Sequence, residues 1–213
     1  MKKRVTTLLV GIVGSSALAL TLHAAQDTKP KAKKAAKTAE KAAAKDVCYD
    51  FSDLPEKDYR VGDVIPADKA EIQLKEFLGP AGNPSTADAA QKAVPVNTTF
   101  ANGKAPELRM YLINAKVVPE APLKKVTLKF AQNVGSQLVN FEVNGDQRVE
   151  TTGLPSLNGK VVGGSAVIVN VNPNSTTGNH PGGTLEIHST AEKIKHFGIG
   201  GVPLYVDRVC MAR

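Results

Sequence analysis

The residues able to do acid–base or metal chemistry gather in the C-terminal third. His180, His188 and His196 recur there, and Glu186 stands two positions before His188. Residues two apart on a strand share a face, so Glu186 and His188 point the same way. If His196 occupies the neighbouring strand, the three side chains form a patch able to ligate a metal ion. Compact spacing of the His-Glu-x-x-His kind does not occur, nor does a His-x-His pair followed by Glu. Polar side chains at exposed sheet positions account for the same pattern.

Other catalytic patterns fare no better. Gly163-Gly-Ser165-Ala-Val167 lacks the closing glycine of a nucleophile elbow, and its setting is a strand. Glu142 and Glu150 flank Asn144-Gly145, an ordinary placement for surface charges on a hairpin. The chain has no tryptophan, and Tyr49, Tyr59, Tyr111 and Tyr205 are its only tyrosines. Tyr111 and Tyr205 lie where strand alternation turns them outward, which makes them the candidates for stacking on a sugar ring. No catalytic signature emerges, so the expectation is a protein that is not an enzyme.

The elements that must position these residues read as β. Ile72 and Leu74 alternate with polar neighbours, as do Val126, Leu128 and Phe130, then Val139, Phe141 and Val143. Val167, Val169 and Val171 repeat the pattern, followed by Leu185 and Ile187, and by Leu204 and Val206. Leu108, Met110 and Leu112 alternate with Arg109, Tyr111 and Ile113. Period two sends one set inward and the other outward. Asn-Gly at 102, 144 and 158 signals hairpins, and Gly163-Gly164 and Gly182-Gly183 mark turns or bulges. Only Ala87 to Ala93 reads as helix. Residues 78–105 are rich in Gly, Pro, Asn and Ser and predict a long excursion. The fold expected is all-β: a two-sheet antiparallel sandwich of jelly-roll or Greek-key type.

Three zones divide the 213 residues. Residues 1–25 read as a signal peptide, with Lys2, Lys3 and Arg4 before an apolar run and Ala24-Ala25 at its end. Retention of that run as an anchor is the alternative. Residues 26–46 are a Lys/Ala-rich tether too poor in large apolar side chains to pack. It is either a solvated spacer or an attachment to anionic envelope polymers. The net charge of +7 resides in these two zones, +3 and +4 respectively, so residues 47–213 are close to neutral. A near-neutral fold without interleaved aromatic and basic residues argues against nucleic acid.

The chain's two cysteines, Cys48 and Cys210, stand at opposite ends of the third zone. Export places them in an oxidising compartment, where a pair reads as a disulfide. His196 to Cys210 reads as one last strand ending on its cysteine.

These ends resemble a pattern in secreted bacterial β-sandwich proteins of the galactose-binding-like jelly-roll type, which includes carbohydrate-binding modules. The opening carries Cys48-Tyr-Asp50-Phe-Ser-Asp53-Leu-Pro55 and Tyr59-Arg-Val-Gly-Asp63; the close carries Gly200-Gly-Val-Pro-Leu-Tyr-Val-Asp207-Arg-Val-Cys210. The resemblance implies a structural calcium ion held by Asp50, Asp53 and Asp207, with backbone carbonyls and water completing its oxygen shell. It also implies a secreted or periplasmic module that binds a polysaccharide or an envelope protein. Two other functions fit the same sequence: a structural subunit of a surface layer, filament or matrix, and a small polysaccharide-active hydrolase or lyase.

Overall fold

A computed structural model describes residues 46–86, 90–101, 106–135, 137–172 and 180–213. The signal and tether expected over residues 1–45, the Asn102-Gly103 turn and Ala87 to Ala89 lie outside the described residues. Among the described residues there are fourteen strands and no α-helix. They are β1 (Val47–Asp50), β2 (Val64–Ala67), β3 (Ala70–Glu76), β4 (Lys92–Val96), β5 (Glu107–Tyr111), β6 (Ile113–Pro119) and β7 (Lys125–Gln132). Then follow β8 (Val139–Val143), β9 (Asp146–Glu150), β10 (Val161–Val162), β11 (Ser165–Asn172), β12 (Gly182–Ser189), β13 (Phe197–Gly201) and β14 (Leu204–Ala212).

The strands form a two-sheet antiparallel sandwich. The first sheet runs β10-β11-β12-β7-β14-β5-β4, with β1 also paired to β14; the second runs β2-β3-β6-β13-β8-β9. Three stretches of chain pass through both sheets. β5 continues into β6, β7 into β8, and β13 into β14. Their neighbour order is β5-β14-β7 in one sheet and β6-β13-β8 in the other, so one three-stranded ribbon folds over to make both layers.

The crossings correct two expectations. Leu112, read as an inward residue, has φ 51, and its N–H donates to the Gly201 carbonyl at 3.1 Å. One left-handed residue flips the alternation, so Met110 and the next strand's Ile113 are both fully buried. The run His196 to Cys210 is two strands rather than one. It leaves the second sheet at Gly201 and enters the first at Leu204, with Val202 and Pro203 between them. Proline has no N–H to give a ladder.

The core lies between the sheets and is filled by alternating side chains, among them Leu74, Leu128, Phe130, Phe141, Phe197 and Ile187. Val171 departs from its pattern and stays 39% exposed on the first sheet. The helix expected up to Ala93 is absent at its C-terminal end, because Lys92 and Ala93 belong to β4. Ala93 exchanges backbone hydrogen bonds with Tyr59 and pairs with Met110, so tertiary pairing overrides local helix preference. Asn144 and Gly145 form the expected two-residue hairpin turn, at φ 50 and 89. Asn158-Gly159 instead closes a 3-10 turn over Leu154–Leu157. Gly163-Gly164 joins β10 to β11, whereas Gly182-Gly183 lies in β12 as regular strand.

Cys48 and Cys210 are bonded. They face each other directly across the β1–β14 pair, 162 positions apart in sequence. The bond fastens the first strand to the last. Reducing it, or the double change Cys48→Ser and Cys210→Ser, should lower stability by about 2–5 kcal/mol in urea titrations. Equal midpoints for oxidised and reduced protein would contradict that role.

Candidate functional site

The middle of the second sheet lacks side chains on its outer face. Phe197 and Ile199 of β13 point into the core, so Gly198 and Gly200 face outward. Gly198 stands opposite Lys116 of β6 and Glu142 of β8; Gly200 stands opposite Asn114 and Asn140. The flanking side chains meet across the bare strand. Lys116 Nζ donates to Glu142 Oε1 at 3.1 Å over Gly198. Asn114 Nδ2 donates to Asn140 Oδ1 at 3.1 Å over Gly200.

The asparagine pair also ties down a crossing segment of chain. Asn140 Oδ1 accepts from the Leu78 N–H at 2.6 Å, and its Nδ2 donates to the Leu78 carbonyl at 2.9 Å. Asn114 Nδ2 donates to the Glu76 carbonyl at 2.6 Å. Beside this strap lies a cavity of about 520 Å³, bordered by Val61, Lys75, Leu78, Lys116, Glu142 and Gln147. It is concave, and a few polar groups converge on it.

His196, immediately before β13, adds a third charge-bearing group. Its Nδ1 lies 3.1 Å from Glu142 Oε1, the oxygen that Lys116 already holds, but makes no aligned hydrogen bond. Burial pushes the His196 pKa below its ordinary 6.5, and the charges of Lys116 and Lys195 push the same way against the pull of Glu142. These groups are partly shielded: the Lys116 and Glu142 side chains are 24% and 19% exposed.

The residues singled out in sequence are mostly dispersed. Asp50 accepts hydrogen bonds from the Ser52 backbone and hydroxyl. Asp53 lies in an exposed turn, and Asp207 is buried at the irregularity between Val206 and Val209 in β14. No three acidic, histidine or cysteine side chains among the described residues are grouped to hold a metal ion, so the calcium set does not assemble. Tyr111 is exposed, at the end of β5. Tyr205 is not the open platform expected. It is 7% exposed, covered by Phe100 at 5.0 Å and His180 at 5.3 Å between ring centres.

Glu186 and His188 do share a face, at 2.6 Å, with Lys125 Nζ also on Glu186 at 2.9 Å. His196 belongs beside the second sheet, so the metal patch does not form. Ser165 is wholly buried, its hydroxyl without a partner, which removes it as a nucleophile. Glu150 turns from Glu142 to Ser156 and Lys160.

The groove itself was missed. Its signal is a matched spacing, Asn114-Ala-Lys116 and Asn140-Phe-Glu142, around Gly198-Ile-Gly200. Comparison with protein-family models, with curated proteins and with solved structures returns no match.

Two outcomes test this geometry. A Cβ on Gly200 would collide with Asn114 Oδ1 and the Ile113 carbonyl. Gly200→Ala should therefore cost about 1–3 kcal/mol or more by urea denaturation; an unchanged midpoint would refute the close packing. For His196, the neutral ring is the native form, because its pKa is lowered on folding. Its contribution is complete above about pH 6.5 and declines as pH falls below that value. His196→Gln should flatten the stability–pH curve in that range.

Proposed function

We propose that this protein is an exported, non-catalytic binding module that holds a hydroxyl-rich polymer, a polysaccharide of the envelope or extracellular matrix, in the groove of the second sheet. The observation that carries this reading is the glycine-floored cavity with Lys116 and Glu142 side by side at its base. A sugar hydroxyl is both donor and acceptor. It can donate to the Glu142 carboxylate while accepting from the Lys116 ammonium, and such charge-assisted bonds are the strong ones. Gly198 borders the cavity and adds no side chain to it, which keeps its floor low beside Lys116 and Glu142.

Among the described residues bordering the groove the one aromatic side chain, Phe141, is buried in the core, so recognition rests on hydrogen bonds and on apolar contact with Val61 and Leu78 at its edge. A binding role is favoured over hydrolysis because Glu142 is engaged by Lys116. Export is supported by the Cys48–Cys210 bond, since such bonds persist in oxidising compartments.

Affinity electrophoresis and calorimetry against a panel of soluble polysaccharides should find at least one binder without release of reducing ends. Glu142→Gln and Lys116→Met should each weaken it about tenfold or more, while Tyr111→Ala should leave it unchanged. A panel without binders, or binding indifferent to both groove variants, would count against the proposal.

A further inference from the structure

The groove has a titratable group set behind its floor that a simple sugar site does not need. Glu142 Oε1 is approached from two sides, by Lys116 Nζ at 3.1 Å and by His196 Nδ1 at 3.1 Å. Only the first is a hydrogen bond in this structure. Lys116 borders the cavity and His196 does not.

We infer that His196 makes the groove acid-responsive: on taking up a proton its imidazole claims the Glu142 carboxylate, releases the Lys116 ammonium into the cavity, and converts the floor from a neutral pair into a site for a carboxylate-bearing polymer. The inference rests on the groove being the polymer site. It adds a ligand class and a control to it.

The charge accounting is local. At neutral pH the groups around His196 are Lys116 from β6, Glu142 from β8 and Lys195 from its own segment, with Lys195 itself paired to Glu192 at 3.6 Å. Lys116 and Glu142 cancel. One proton on His196 leaves two cations sharing one carboxylate oxygen. The imidazolium is held in place by its short tether to β13. The lysine has four methylenes and can swing away. An anionic group entering the cavity then meets an unshared ammonium. Reciprocity follows, because an anion bound to Lys116 leaves Glu142 to His196 and so favours the proton. The lowered pKa of His196 sets the response on the acid side of neutrality.

The test uses the exported chain with polygalacturonate, whose carboxylates stay ionised between pH 5.5 and 7.5, and a neutral soluble glucan. Polygalacturonate should bind about fivefold or more tightly at pH 5.5 than at 7.5, the range of an ordinary coupling between sites. His196→Gln and Lys116→Met should each remove that gain. His188→Gln, on the other sheet, should retain it and so control for the general charge of the protein. In wild-type protein, the His196 ring followed by NMR should titrate at higher pH with polygalacturonate bound than without it, a readout independent of any variant's folding. Glucan binding with no acid gain for polygalacturonate would overturn the switch and leave the groove as a polymer site. An acid gain that survives in His196→Gln, or an unmoved ring titration, would overturn it too. Absence of binding by either polymer at any pH would overturn both readings.

Discussion

Two positions without side chains decide the outer face of the second sheet. At Gly198 and Gly200 the central strand leaves a strip bare, and the polar residues of its neighbours close over it. Lys116 reaches Glu142 over the first glycine, and Asn114 reaches Asn140 over the second. Residues on strands two apart in a sheet are about 10 Å apart at the backbone. Their side chains meet only because the strand between them contributes none. The asparagine bridge is then used structurally, pinning the Glu76–Leu78 strap with three hydrogen bonds to the backbone. The ionic bridge is left beside the cavity and partly shielded from solvent. One row of the sheet builds a wall and the next supplies a floor.

That face is held by the ribbon that folds through both sheets. Because β6, β13 and β8 continue as β5, β14 and β7 in the opposite layer, the register around Gly200 is coupled to the pairing around Leu204. A one-residue slip would put Gly198 and Gly200 into the core and Phe197 and Ile199 into water, so burial fixes the register strongly. The disulfide fastens the far end of β14 to β1. The outer face of the first sheet is closed off differently. The buried Glu107 carboxylate accepts from the Ala101 N–H and the Thr98 hydroxyl, holding down the segment that places Phe100 over Tyr205. The tyrosine is covered, and the groove lies on the other sheet.

Much of the sandwich was legible because its signals are local. Val126-Thr-Leu128-Lys-Phe130 alternates as a half-buried strand must, and Asn144-Gly145 supplies the positive φ of a tight hairpin. The bond between Cys48 and Cys210 followed from their place at the two ends of the fold. What escaped has non-local causes. Leu112 takes a left-handed conformation with no glycine to announce it, so the alternation through it misplaced both Leu112 and Ile113. Ala93 looked helical because Tyr59 and Met110, which claim it for a strand, are far away in sequence. That Asp207 is buried while Asp53 sits in an exposed turn was likewise beyond the reach of the local pattern. The groove needed the register of three distant strands before Asn114, Gly200 and Asn140 could be seen in one row.

The most direct measurement is a map of backbone amide shifts by two-dimensional NMR as a soluble polysaccharide is titrated into the protein. The groove predicts perturbations concentrated at Lys116, Glu142, Gln147 and Gly198, with the outer face of the first sheet unmoved. Shifts centred instead on Tyr111 or on the Glu186–His188 pair, with the glycine strip silent, would contradict it.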